Sequence, residues 1–98
     1  METFSDLINA QTPVLVDFFA EWCTPCKTMT SVLRQVKDLQ EDNLRIIKVD
    51  VDKNPGVAVH YTVQAVPTLM IFKQGRQMWR QSGVIDATEL NRIVEMFK

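Results

Sequence analysis

VDFFAEWCTPCK, residues 16–27, carries an apolar run straight into a turn that holds the chain's only two cysteines. The run starts at Val14 and reaches Ala20 as VLVDFFA, rich in β-branched and aromatic residues. Hydrophobicity that is continuous rather than alternating marks a strand buried on both faces, as in a parallel sheet. From Thr24 to Gln40 the pattern changes: Met29, Val32, Leu33, Val36 and Leu39 recur at intervals of three and four, the period of a helix with one buried stripe. Pro25 falls in the first turn of that helix, where proline is tolerated. Cys23 thus stands at the mouth of a helix N-terminus, beside Trp22 and expected to be exposed, with Cys26 one turn further in and shielded.

Outward from this junction, LRIIKVDV at 44–51 reads as a second strand. Strand, helix and strand make a βαβ unit with parallel strands. A short helix is expected from about Thr3 to Ala10, with Phe4, Leu7 and Ile8 on one face, Thr3 as cap and Pro13 as the break. DKNPG at 52–56 is turn chemistry before a short helix near Gly56–Tyr61. TLMIFK at 68–73 and RQMWRQSG at 76–83 flank Gln74-Gly75, which predicts an antiparallel hairpin. Asp86 and Glu89 occupy the N-cap and N3 positions of a final helix carrying Leu90, Ile93, Val94 and Phe97. The order α-β-α-β-α-β-β-α predicts an α/β fold with a mixed sheet and helices on both faces. Met29 and Met70 fit core positions, His60 is expected to face solvent on the short helix, and Trp79 is ambiguous between edge cover and partial exposure.

Composition bounds the function. The 98 residues suit one compact domain, residues 1–98. Apolar residues make up 46% and charged residues 23%, with a net charge of -1 and the signs interspersed. That balance argues against a nucleic-acid or membrane-surface protein, and no apolar run approaches the ~18 residues of a membrane span. METFSDLINAQ has neither the positive nor the long apolar region of a signal peptide. A cytoplasmic monomer is expected, although a trimmed secreted domain with an added methionine would read the same way.

The cysteines allow three readings: a reactive pair, half of a metal site, or a staple. A structural zinc site needs about four ligands. The chain has two cysteines and one histidine, His60, so no metal site is expected within one chain; counts alone leave open a zinc shared between two copies. In a reducing compartment a close pair is catalytic or metal-binding more often than structural. Unpaired N–H groups and the dipole at a helix N-terminus favour a thiolate there, and the thiolate is the nucleophile of disulfide exchange. Cys23 is placed to attack a substrate disulfide and Cys26 to resolve the mixed disulfide, while Pro25 stiffens the turn between them. The bland alternative is a pair of inert buried thiols.

Asp17 is the second anomaly. A lone carboxylate inside a buried strand is costly when charged, and burial raises its pKa. It reads as a proton acceptor for Cys26, with Lys48 in the neighbouring strand as partner. It reads equally as an acid hydrogen-bonded for structural reasons, or turned to solvent at a strand edge.

These residues resemble the thioredoxin family. VDFFAEWCTPCK at 16–27, KVDVDKNP at 48–55, AVPTLMIFKQG at 65–75 and Gly83 fall in that family's order and spacing, covering about 14–98. The resemblance implies a thioredoxin fold, with Cys23 attacking, Cys26 resolving, Asp17 as the buried acid, Lys48 as its partner and Pro67 as a cis-proline facing the disulfide. It implies a docking surface of Trp22, Thr24, Pro25, Val66, Pro67 and Gly83, on which Val66 offers its backbone to an added substrate strand. It also implies no cofactor beyond the Cys23–Cys26 disulfide, disulfide-containing protein substrates, and a flavin-containing thioredoxin reductase as electron source.

The departures are specific. Thr24-Pro25 replaces the family's usual Gly-Pro, which leaves the redox poise open. Phe19 stands for a frequent tryptophan and Ala65 for a frequent glycine, and Thr30-Ser31 lies where a helix-kinking proline is common. Only 16 residues precede Asp17. The family's usual first strand is expected to be absent, leaving four strands, with the strand at 44–51 on an edge that the N-terminal segment covers or a second molecule pairs. A protein-disulfide reductase is the leading function. An isomerase or oxidase with a less reducing couple, and a redox-inactive binding module on the same scaffold, are the alternatives.

Overall fold

The computed structural model describes residues 2–98. A short helix α1 (Phe4–Ile8) precedes strand β1 (Val14–Phe19), the long helix α2 (Thr24–Gln40) and a 3-10 turn (Glu41–Asn43). Then come β2 (Arg45–Asp50), α3 (Pro55–His60), β3 (Thr68–Lys73), β4 (Arg76–Ser82) and α4 (Ala87–Met96). The sheet has four strands in the order β2-β1-β3-β4. β1 runs parallel to β2 and antiparallel to β3, and β3 runs antiparallel to β4. No strand precedes β1 among the described residues, so β2 is an edge. Glu2 and Thr3 join no strand; Met1 lies outside the described residues.

Local chemistry accounts for the element ends. At α1, Thr3 accepts the Asp6 N–H while the Asp6 carboxylate accepts the Thr3 N–H, a reciprocal capping box. At α4 only half of such a box forms. Asp86 accepts the Glu89 N–H at 2.8 Å, but Glu89 turns its carboxylate to Arg92 at 2.6 Å. In the β3–β4 turn Gln74 and Gly75 have φ of 53° and 80°, the left-handed pair that matches the twist of a tight hairpin.

Alternation along β1 divides the core. Leu15 faces α2 and α4, where it meets Met29, Leu33, Val36, Leu90 and Val94. Val14, Val16 and Phe18 face the other side, covered by α1 and α3 through Phe4, Ile8, Val57 and Tyr61. Both faces of β1 are therefore dry, and that is why its sequence lacks polar alternation. Met29 and Met70 are fully buried. His60 is exposed on α3, and Trp79 packs half-buried against the α2–α4 cluster.

Leu90 is completely buried where α4 meets α2. Leu90→Ala is expected to lower the unfolding free energy by about 2–5 kcal/mol, read as a fall in urea midpoint at constant m-value.

Candidate functional site

β1 ends at Phe19, the chain turns through Ala20–Trp22, and α2 starts immediately. Cys23 is the N-cap residue of α2. Its sulfur accepts the N–H of Cys26, the N3 residue, at 3.2 Å. A serine or aspartate oxygen ordinarily fills this role; here a sulfur does, so the group that carries charge in thiolate form already meets a helix N–H. Cys23 and Cys26 are joined as a disulfide with Cα atoms 5.3 Å apart.

The expected exposure of Cys23 is corrected. Cys23 is 3% and Cys26 4% exposed, whereas Trp22 is 71% exposed. Both sulfurs pack with Ala20, and Phe19, Val51 and Val66 close around them. Trp22 is held outside this cluster by its indole N–H, which donates to Asp52 at 2.9 Å. Glu21 beside it pairs with Lys53 at 3.4 Å.

The loop before β3 supplies the opposite wall. The Val66–Pro67 peptide bond is cis, as the resemblance implies. Gly83 donates its N–H to Pro67 O at 2.8 Å with φ of 93°, a backbone state that favours glycine. Among the described residues Val66 makes no backbone hydrogen bond, so its N–H and C=O stay open to an incoming strand. The buried Thr68 hydroxyl bonds to Ala65 O at 2.6 Å and to the Ser82 hydroxyl at 2.8 Å. That pair ties the loop to the end of β4. Thr24 and Pro25 are exposed on the first turn of α2.

Asp17 is fully buried, and neither carboxylate oxygen has a protein hydrogen-bond partner. The solvent-facing alternative is thereby overturned. Alternation puts Asp17 on the face of Leu15, under α2. Burial raises its carboxyl from 3.8 to about 6, opposed by the positive charge of Lys48. Lys48 is the register partner of Asp17 and acts on it through its charge, without a salt bridge. The ammonium lies 4.9 Å from the Phe19 ring centroid and 3.4 Å from the Thr30 hydroxyl. Lys48 is exposed and keeps its hydration by leaning outward over the ring. Phe19, in the family's tryptophan position, supplies that ring.

Sequence reasoning missed Asp52 and the Thr68–Ser82 pair. Asp52 reads as a turn residue and Thr68 as the start of a strand; nothing local ties either to a group many positions away. Among the described residues no cluster of three or more His, Cys, Asp or Glu could hold a metal ion.

A cysteine pair closing the N-terminus of a helix, packed against the residue before a cis-proline and reached from a strand that carries a buried acid, is the arrangement of a thiol–disulfide oxidoreductase. The family model described as Thioredoxin matches residues 1–96. The chain is 41% identical over 91 residues to a thioredoxin-like protein of Synechocystis sp., covering 93% of this chain and 87% of that one. It is 37% identical over 95 residues to chloroplastic thioredoxin Y1 of Arabidopsis thaliana, covering 96% of this chain and 55% of the relative. Its structure is similar to that of a chloroplastic thioredoxin z, with TM-score 0.81 and 31% identity over 89% of this chain and 79% of the other. The chain belongs to the thioredoxin family. Its activity is that of the family, reduction of protein disulfides through the Cys23–Cys26 pair.

The raised Asp17 pKa has a sign that can be checked. Below about pH 4 the acid is protonated in both folded and unfolded chains and costs nothing. Between about pH 4 and 6 the unfolded chain ionises first, so stability falls as pH rises; above about 6 the loss is complete, about 3 kcal/mol for the shift from 3.8 to about 6. Asp17→Asn is expected to raise stability at pH 7.5 relative to the parent and to lose this advantage at pH 4. Urea unfolding of the two oxidised proteins at both pH values checks it; a pH-independent difference would contradict the titration.

Proposed function

We propose that Cys23 is the attacking cysteine and Cys26 the resolving one, with Asp17 as proton acceptor. The observation that carries this is the helix N–H of Cys26 directed at the Cys23 sulfur. In the reduced chain the Cys23 thiolate attacks one sulfur of a substrate disulfide. A mixed disulfide forms and a substrate thiolate leaves. The Cys26 thiol then gives its proton to the Asp17 carboxylate, and the Cys26 sulfur attacks Cys23. The second substrate sulfur leaves, and the chain is left in the oxidised form described above, two electrons poorer. A flavin-containing thioredoxin reductase returns the electrons.

An acid near pKa 6 fits this role, because it is mostly ionised at neutral pH yet closer to a thiol's range than an ordinary carboxyl. Lys48 biases it toward the charged form from across the strand pair. Trp22, Val66, Pro67 and Gly83 form the docking surface, and a substrate segment adds as a strand against Val66. Thr24 and Pro25 set the stability of the thiolate and thereby the potential. The protein works as a monomer in a reducing compartment, the cytoplasm, needs no cofactor beyond its own disulfide, and takes protein disulfides as substrates.

The reduction potential of the Cys23–Cys26 couple, read by alkylation and mass shift in defined thiol buffers, is expected near about -270 mV, the known thioredoxin value. A value near about -180 mV would make the chain an isomerase or oxidant. Cys26→Ser is expected to trap substrates as mixed disulfides on Cys23. Asp17→Asn is expected to slow resolution more than formation in single-turnover assays; equal slowing of both steps would remove Asp17 from the proton path.

A further inference from the structure

β2 is an edge strand whose outer side is uncovered by any other strand. The N–H of Arg45 donates to Pro13 O at 3.1 Å and that of Val51 to Phe19 O at 2.9 Å. Odd-numbered residues of β2 therefore face β1, and Ile46 and Lys48 direct their N–H and C=O outward. The segment before β1 does not cover them, because Phe4 and Ile8 pack on the face away from α2.

On the α2 side of this edge runs a groove of about 280 Å³. Leu33 and Ile46 make its apolar floor, and Arg34, Lys37 and Lys48 stand on its rim. Against these three cations stands one lining acid, Asp38, in a chain whose net charge is -1. The ion pairs among the described residues are Glu21–Lys53, Glu89–Arg92 and Glu95–Lys98, so none of the three groove cations meets a carboxylate. Lys37 is engaged by the carbonyls of Glu41 and Leu44, which fixes its charge beside the groove.

We propose that the β2 edge is a second docking surface, which takes an extended acid-rich segment of a partner protein as an added strand. The backbone groups of Ile46 and Lys48 supply the ladder. Alternation places every second side chain of the segment over the groove: an apolar one on Leu33 and Ile46, with carboxylates two positions either side meeting Arg34, Lys37 and Lys48. A second copy of this chain is the wrong occupant, since an antiparallel copy sets one cationic edge against another. The surface is separate from the Val66–Pro67 loop, and its use does not depend on the disulfide chemistry.

The probe is a short fluorescein-labelled peptide with isoleucine at its centre, glutamate at the alternate positions either side and threonine between. Its counterpart carries lysine for each glutamate. Fluorescence anisotropy at low salt is expected to show binding of the acidic peptide only, weakening as salt is added. Amide exchange by NMR is expected to show new protection at Ile46 and Lys48. Arg34→Glu with Lys37→Glu is expected to weaken binding about tenfold, as two lost ion pairs imply, while disulfide reduction of insulin is unchanged. A Cys23→Ser, Cys26→Ser variant should bind as the parent does, which separates this surface from the redox site. Four results overturn the proposal: no binding of the acidic peptide, equal binding of the lysine peptide, protection confined to Val66 and its neighbours, or a concentration-dependent dimer that protects Ile46 and Lys48 without peptide.

Discussion

Helix α2 begins at a sulfur. The first N–H groups of any helix lack partners within it, and an oxygen side chain ordinarily satisfies one of them. Here the Cys23 sulfur takes that place by accepting the Cys26 N–H. One contact therefore both starts the longest helix of the chain and conditions the atom that does the chemistry. Pro25 fits because the first turn needs no N–H from it. The rest of the structure holds this junction still. β1 delivers the chain to it from the middle of the sheet, and α2 leaves it along a face whose Met29, Leu33 and Val36 pack with Leu15 and Leu90.

The same rigidity buries Asp17 at a cost in stability. A strand dry on both faces would be more stable with an apolar residue at this position, since neither carboxylate oxygen is hydrogen-bonded by the protein. Burial moves the acid into a range where it exchanges protons near neutrality. Lys48 moderates the shift without quenching it, because its ammonium rests over Phe19 and not against the carboxylate. A tight ion pair would pull the acid back toward its ordinary value.

Most of the architecture was legible in the residues. The helix over 24–40 and the strand over 68–73 run as their periodicities indicate, because a stripe of apolar residues at one spacing can be buried by only one kind of backbone. Four strands make the sheet among the described residues, as expected. The site was legible in kind: two cysteines, a buried acid, a proline loop. It was misread in exposure. Cys23 sits at a polar turn, and nothing local shows that Phe19, Val51 and Val66 would close over it.

The sequence by itself determined the elements, their order and the reacting atoms. These depend on spacing along the chain and on functional-group chemistry, both local. The tertiary structure alone decided what those atoms meet. Trp22 is aimed by Asp52, the proline loop is held by Thr68 and Ser82, and Lys48 leans on Phe19 instead of pairing with Asp17. Each contact joins side chains far apart in sequence, and its geometry follows from how the layers pack. Solvation and charge at the site are properties of that packing, so no single segment carries them.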